Sequence, residues 1–162
     1  MTRKMTRIDP SIRHRAREAA LQMLYQWEVG RVPPHEAVRT YWPGRDAPPS
    51  EDDELADLVP DRAVDENGRT FANGLVTGTI ERLAEADRLI AAHATNWRVE
   101  RMAVIDRLVM RMAIYELLAE PETPAKVIIN EAIELARTFS GEQPVPLING
   151  VLDSVRKALD RE

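Results

Sequence analysis

Apolar side chains recur at helical intervals along most of the chain. In SIRHRAREAALQMLYQWE, residues 11–28, Ala16, Ala19, Ala20, Met23, Leu24 and Trp27 fall three and four apart, forming one stripe that must dock on other helices. Ser11 is a candidate N-cap, a start one or two residues earlier fits equally, and Gly30 ends the run. Pro33 and Pro34 open a short helix reaching about Trp42. Residues 43–61 hold Pro43, Gly44, Pro48 and Pro49 and the four successive carboxylates Glu51 to Glu54, and so read as an irregular acidic loop, either mobile or an insertion. A long helix is expected next, from about Arg62 to Ala94, with Val76, Ile80, Leu83 and Ile90 on one face. Gly74 and Gly78 lie four apart on it and suit a close helix crossing, because the lysine and strand of a phosphate loop are missing.

The remaining third is helix after helix. Met102, Ile105, Leu108, Val109 and Met112 mark one that runs to about Ala119. Thr123 and Pro124 read as the cap and first position of another, whose apolar face is Ile128, Ala132, Leu135, Ala136 and Phe139, stopped by Ser140-Gly141. The last begins near Pro144 or Pro146 and carries Leu147, Val151, Leu152, Val155 and Leu159. KVII is the one β-branched cluster, and it continues into a helical period. The pattern predicts an all-α fold built of helix bundles.

Charge adds an asymmetry to this picture. Residues 1–17 hold Arg3, Lys4, Arg7, Arg13, Arg15 and Arg17 against Asp9 alone, a local +5 in a chain of net −5, so the rest carries −10. Such a chain draws phosphate to one end and repels it elsewhere, although a basic tail with no specific role accounts for charge alone equally well. Zero cysteines rule out disulfides and a cysteine nucleophile. No apolar run approaches the roughly 20 residues that span a bilayer, and MTRKMTRIDPSIRHRAR lacks a signal peptide's apolar middle, so a cytoplasmic protein is expected.

Catalytic chemistry finds little to stand on. His14, His35 and His93 are far apart, none follows a glutamate by three residues, and no glycine-rich loop or nucleophile elbow is present. Glu131 and Glu134 share a helix, but a solvated or salt-bridged pair explains them better than acid–base chemistry. No enzyme is expected. Nucleic-acid binding fares better once the first helix is drawn as a wheel stepping about 100° per residue from Arg13. Arg15, Glu18, Gln22, Tyr25 and Gln26 then fall opposite the apolar stripe, with Arg13 and Arg17 at its border. Arginines, an exposed tyrosine and glutamines suit single-stranded RNA: guanidinium on phosphate, base on ring, amide on base edge. The alternative is that Tyr25 packs on the second helix and the arginines are merely solvated.

RHRAREAALQMLYQWE, followed by MRMAIYELL, INEAIELA and INGVLD in the same order and spacing, closely resembles the NusB family of bacterial antitermination factors. The resemblance implies an all-α fold of two three-helix bundles side by side, about seven helices. A flexible basic tail at 1–10 would precede one domain at 11–162, its N-terminal bundle at about 11–94 and its C-terminal bundle at about 97–160. It further implies a partner, the small ribosomal-subunit protein NusE, with which the boxA element of nascent RNA is bound so that RNA polymerase stays processive over ribosomal-RNA operons. No cofactor is implied. Residue by residue, the family's arginine-rich motif falls on Arg13, His14, Arg15 and Arg17, with His14 standing for a common third arginine, a contact expected to weaken as pH rises past the histidine pKa. The RNA-facing tyrosine falls on Tyr25, with Gln22 on the same face, and the acidic positions facing NusE fall on Glu100 and Asp106. The chain departs from the family's KFVNGVL with Pro146 and Leu147, which removes a phosphate contact and a ring. It also has Ala125 where an aromatic often meets NusE, which lowers affinity for that partner. Three further readings stay open: a helical interaction module that has lost RNA recognition, the NusB-like domain in front of RNA cytosine methyltransferases, and self-association as a homodimer through the basic surface.

Overall fold

The computed structural model describes residues 9–46, 64–95 and 97–162. Seven α-helices run through them: α1 Pro10–Glu28, α2 Pro34–Asp46, α3 Glu66–Glu81, α4 Leu83–His93, α5 Val104–Ala119, α6 Ala125–Phe139 and α7 Val145–Ala158, with a 3₁₀ turn at Val99–Arg101 before α5. No strand occurs among the described residues, and no helix there is long and apolar enough to cross a membrane. Most of the expected acidic loop, residues 47–61, and all but the end of the basic tail lie outside the described residues; Pro43 and the three residues after it are the last turn of α2 rather than loop.

Helix starts follow local chemistry. Asp9, not Ser11, caps α1, accepting the backbone N–H of Ser11 at 2.8 Å and its hydroxyl at 2.7 Å, while Pro10 occupies the first turn where no N–H is needed. Asp65 caps α3 in the same way through the N–H of Gly68 at 2.8 Å. Thr123 does not cap α6; its side chain is drawn away by Arg13, described below. The expected single helix over 62–94 is two, broken where Arg82 leaves helical geometry at φ −104°, ψ 21°.

Helices α1, α2 and α3 pack together as the N-terminal bundle, and α5, α6 and α7 as the C-terminal one, with α1 and α3 both laid on α5 so that the two share a continuous core. The break at Arg82 decides where α4 goes. It turns away from α3 to pack on α5 and α7: Asp87 receives two bonds from Arg111, at 2.7 and 2.9 Å, and His93 Nδ1 meets the Ser154 hydroxyl at 2.6 Å. Helix α4, expected within the N-terminal bundle, thus packs mainly on helices α5 and α7. Of the pair Gly74 and Gly78 on α3, it is Gly78 that takes the close crossing: a Cβ there would lie 2.1 Å from the Tyr115 ring, whereas one on Gly74 would meet nothing within 4 Å.

Candidate nucleic-acid interface

Helix α1 sits between the bundles, and this explains its surface. Its buried residues, Ala16, Arg17, Ala19, Ala20, Leu21, Met23 and Leu24, span roughly 200° of the wheel, far wider than the stripe that sequence spacing marked. Arg17 lies inside that arc. Its side chain is 2% exposed, and its guanidinium makes a two-point bond to Glu116 of α5, Nε to Oε2 at 2.9 Å and NH2 to Oε1 at 2.7 Å. Burial works against its charge, but the bonds and charge of Glu116 outweigh that and hold its pKa above the ordinary arginine value. Arg17 is thus a tie between the bundles, out of reach of phosphate, and the expectation that it contacts RNA is corrected.

Two other motif positions are partly committed inside the molecule. Arg13 donates to the Thr123 hydroxyl at 3.1 Å, and its guanidinium lies 5.0 Å from the centre of the Phe71 ring. His14 is flanked by carboxylates, Glu131 Oε2 at 2.6 Å from Nδ1 and Glu18 Oε1 at 2.8 Å from Nε2. Carboxylates only accept, so both bonds form together only when both ring nitrogens carry protons. Glu131 is therefore a salt-bridged partner in this arrangement. Arg15 is half-buried on the polar face, where its charge adds to the bonds from Ser11 that hold the Asp9 carboxyl below the ordinary aspartate value.

The lower half of the same face is open. Gln22 and Gln26 are exposed, and Tyr25 is 40% exposed, pointing away from the core as its place on the wheel requires. Around them lies a cleft of about 340 Å³, lined by Leu21, Gln22, Tyr25 and Gln26 of α1, Tyr41 of α2, Ile105 of α5 and Phe139 of α6. Trp42 sets the position of Tyr41: it is buried, its indole N–H donates to Asn73 of α3 at 3.0 Å, and its ring meets that of Tyr41 edge-on at 4.9 Å. Held there, the Tyr41 hydroxyl donates to Gln22 Oε1 at 2.6 Å. Phe139, expected in the core of α6, is 37% exposed because it closes the last turn and faces this cleft. Tyr41 and Phe139 were not legible as site residues, since nothing local in the sequence ties them to α1.

Of the two acidic positions, Glu100 is exposed on the 3₁₀ turn. Asp106 lies in the first turn of α5, 9% exposed, with Oδ1 buried and lacking a hydrogen-bond partner among the described residues. Ala125, expected at a partner-facing edge, is wholly buried, its N–H bonded to the Glu162 carbonyl at 2.8 Å. Pro146 is exposed in the first turn of α7, and Leu147 is half-buried against the core. No group of three His, Asp or Glu among the described residues is placed to hold a metal ion.

The profile of the NusB family matches residues 14–157. Similar chains include the transcription antitermination protein NusB of Solibacter usitatus, 42% identical over 91% of this chain and 90% of its own, and that of Koribacter versatilis, 39% identical over 96% and 95%. A solved structure of T. maritima NusB is 30% identical and superposes with a TM-score of 0.70 over 90% of each chain. A crystal structure of the antitermination factors NusB and NusE in complex with double-stranded RNA contains a chain that aligns with a TM-score of 0.73 over 91% of this chain and 98% of its own. At 21% identity, that likeness speaks for the fold alone. A profile match spanning α1 to α7, together with relatives near 40% identity across nine-tenths of both chains, makes this two-bundle helical protein a member of the NusB family.

Proposed function

We propose that the protein is a non-enzymatic, cytoplasmic transcription antitermination factor. Together with NusE it holds a boxA-like single-stranded stretch of nascent ribosomal RNA and so helps keep RNA polymerase processive. The observation that carries this reading is the match to the NusB family along residues 14–157, supported by relatives named for transcription antitermination. On this reading Arg15, Gln22 and Tyr25 form the RNA-facing surface, Arg13 and His14 contribute from its border, and Glu100 and Asp106 face NusE. Each protein supplies few contacts, and the joint surface raises affinity.

Fluorescence anisotropy with a boxA-like RNA, with and without NusE, tests this. Joint binding should be lost in Arg15→Ala and in Tyr25→Ala, and should weaken with salt by a slope of roughly −0.7 per phosphate neutralised. Binding that ignores salt would count against it. The engagement of Arg13, His14 and Arg17 inside the molecule favours a second reading, an interaction module of the same fold without RNA recognition. That reading expects NusE to bind and RNA to be ignored in either mixture.

A further inference from the structure

His14 sits between Arg13 and Arg15 in the basic turn of α1, yet both of its ring nitrogens are already taken. Nε2 meets Glu18 Oε1 at 2.8 Å and Nδ1 meets Glu131 Oε2 at 2.6 Å, so the ring has no donor left for an incoming anion. The two carboxylates differ in origin. Glu18 lies one turn further along the same helix and goes wherever His14 goes. Glu131 belongs to α6, a helix that packs on α5 just as α1 does, and its bond to His14 reaches across from one to the other. Arg17 NH1 is 4.0 Å from the same oxygen, too far for a hydrogen bond, so His14 is the close partner of this carboxylate. The His14 side chain is a third exposed and that of Glu131 a quarter, which puts their bond within reach of a strand lying on the surface.

We propose that Glu131 is an intramolecular competitor for RNA phosphate: its carboxylate occupies the His14 donor that a backbone phosphate would otherwise take, and so limits what α1 contributes to RNA affinity. The proposal rests on the RNA-binding reading above and deepens it. A carboxylate that merely oriented the ring would hold one nitrogen and leave the other N–H for the ligand, but here the second nitrogen is spent on Glu18. When Glu131 gives way, Glu18 still holds the ring by Nε2, and the Nδ1 N–H becomes the free donor. A phosphate oxygen suits the vacated place because it accepts the same charge-assisted bond, whereas a neutral acceptor would exchange a stronger bond for a weaker one. Glu131 thus opposes phosphate in two ways, by holding the donor and by setting a negative charge beside it.

The test titrates a fluorescein-labelled boxA-like RNA against the full chain with NusE present, over a series of salt concentrations. Glu131→Gln keeps the size of the side chain and removes its charge, and it should bind RNA roughly fivefold more tightly, about the worth of one partly exposed ion pair. Its salt slope should steepen by roughly 0.7, as one more phosphate is neutralised on a single strand; a merely structural glutamate would not move that slope. The gain has to pass through His14. Added to His14→Gln, which has no cation to release, Glu131→Gln should change affinity by less than about twofold. Glu134→Gln removes a negative charge three residues along α6, from a side chain paired with Arg137 at 2.8 Å, and measures the effect of charge loss alone; it too should stay within about twofold of the unaltered protein. Affinity unchanged or weakened in Glu131→Gln overturns the proposal. So does an equal gain in the His14→Gln background or in Glu134→Gln, either of which makes the effect general repulsion. If neither the unaltered protein nor Glu131→Gln binds RNA, the antitermination reading falls as well; if the unaltered protein binds and Glu131→Gln brings no gain, the competitor falls alone.

Discussion

The Arg17–Glu116 pair offers the sharpest separation of structural from RNA-binding roles along α1. Both side chains are 2% exposed and meet through two bonds of 2.7 and 2.9 Å, and Arg17 also lies 5.4 Å from the Phe71 ring centre. Removing one partner strands a buried charge, which costs about 3–5 kcal/mol; replacing both by apolar groups of similar volume is often neutral or stabilising by about 1–4 kcal/mol. Arg17→Met and Glu116→Gln should each lower the free energy of unfolding by at least about 3 kcal/mol in urea titrations. Arg17→Met/Glu116→Met should return to within about 1 kcal/mol of the unaltered protein, less whatever the Phe71 contact contributed. The double variant should also bind RNA with unchanged affinity and salt slope, since it removes no accessible charge. Either of two results refutes the reasoning: Arg17→Met costing under about 1 kcal/mol, or a stably folded double variant whose RNA affinity collapses.

Three further outcomes follow from the packing. Gly78→Ala should destabilise by about 1–3 kcal/mol as its methyl meets the Tyr115 ring, while Gly74→Ala should stabilise by about 0.8–1 kcal/mol; thermal melts showing the same sign for both would be inconsistent with the crossing described. Glu120 has its carboxyl pushed above the ordinary 4.5 by burial and by Glu116, with Arg13 and Arg17 pulling it partway back. A raised carboxyl favours folding below its unfolded value and loses that contribution as pH rises through the folded one, so Glu120→Gln should be more stable than the unaltered protein at pH 7 and converge with it near pH 4. Arg31 holds φ 55° in the turn after α1, so Arg31→Gly should raise stability by up to about 1 kcal/mol and Arg31→Val should lower it, with urea midpoints as the readout; equal midpoints would show the turn is not strained.

The apolar periods of the last three helices mark their positions to within a few residues, because each buries one face on its neighbours and that face repeats within the helix. The exposure of Gln22 and Tyr25 was likewise legible, as it depends only on their place opposite the apolar stripe. Arg17 was not, since what makes a buried arginine tolerable is Glu116, 99 residues away. The same separation hid Thr123, which reads locally as a helix cap until Arg13 arrives from 110 residues upstream. The break at Arg82 carries neither proline nor glycine, and the packing of α4 on α5 and α7 is visible only in three dimensions. Tyr41 and Phe139 belong to the cleft for the same non-local reason.

The central position of α1 has a consequence for how the chain is made. Its partners in the N-terminal bundle are complete once α3 has emerged, but Arg17 waits for Glu116, 99 residues later. At roughly 5–20 residues per second, synthesis leaves that cation and the apolar surface beside it uncovered for about 5–20 s, longer than most small domains need to fold. During that interval the helices already made hold Arg17 and the apolar surface beside it without the α5 partner that later buries them.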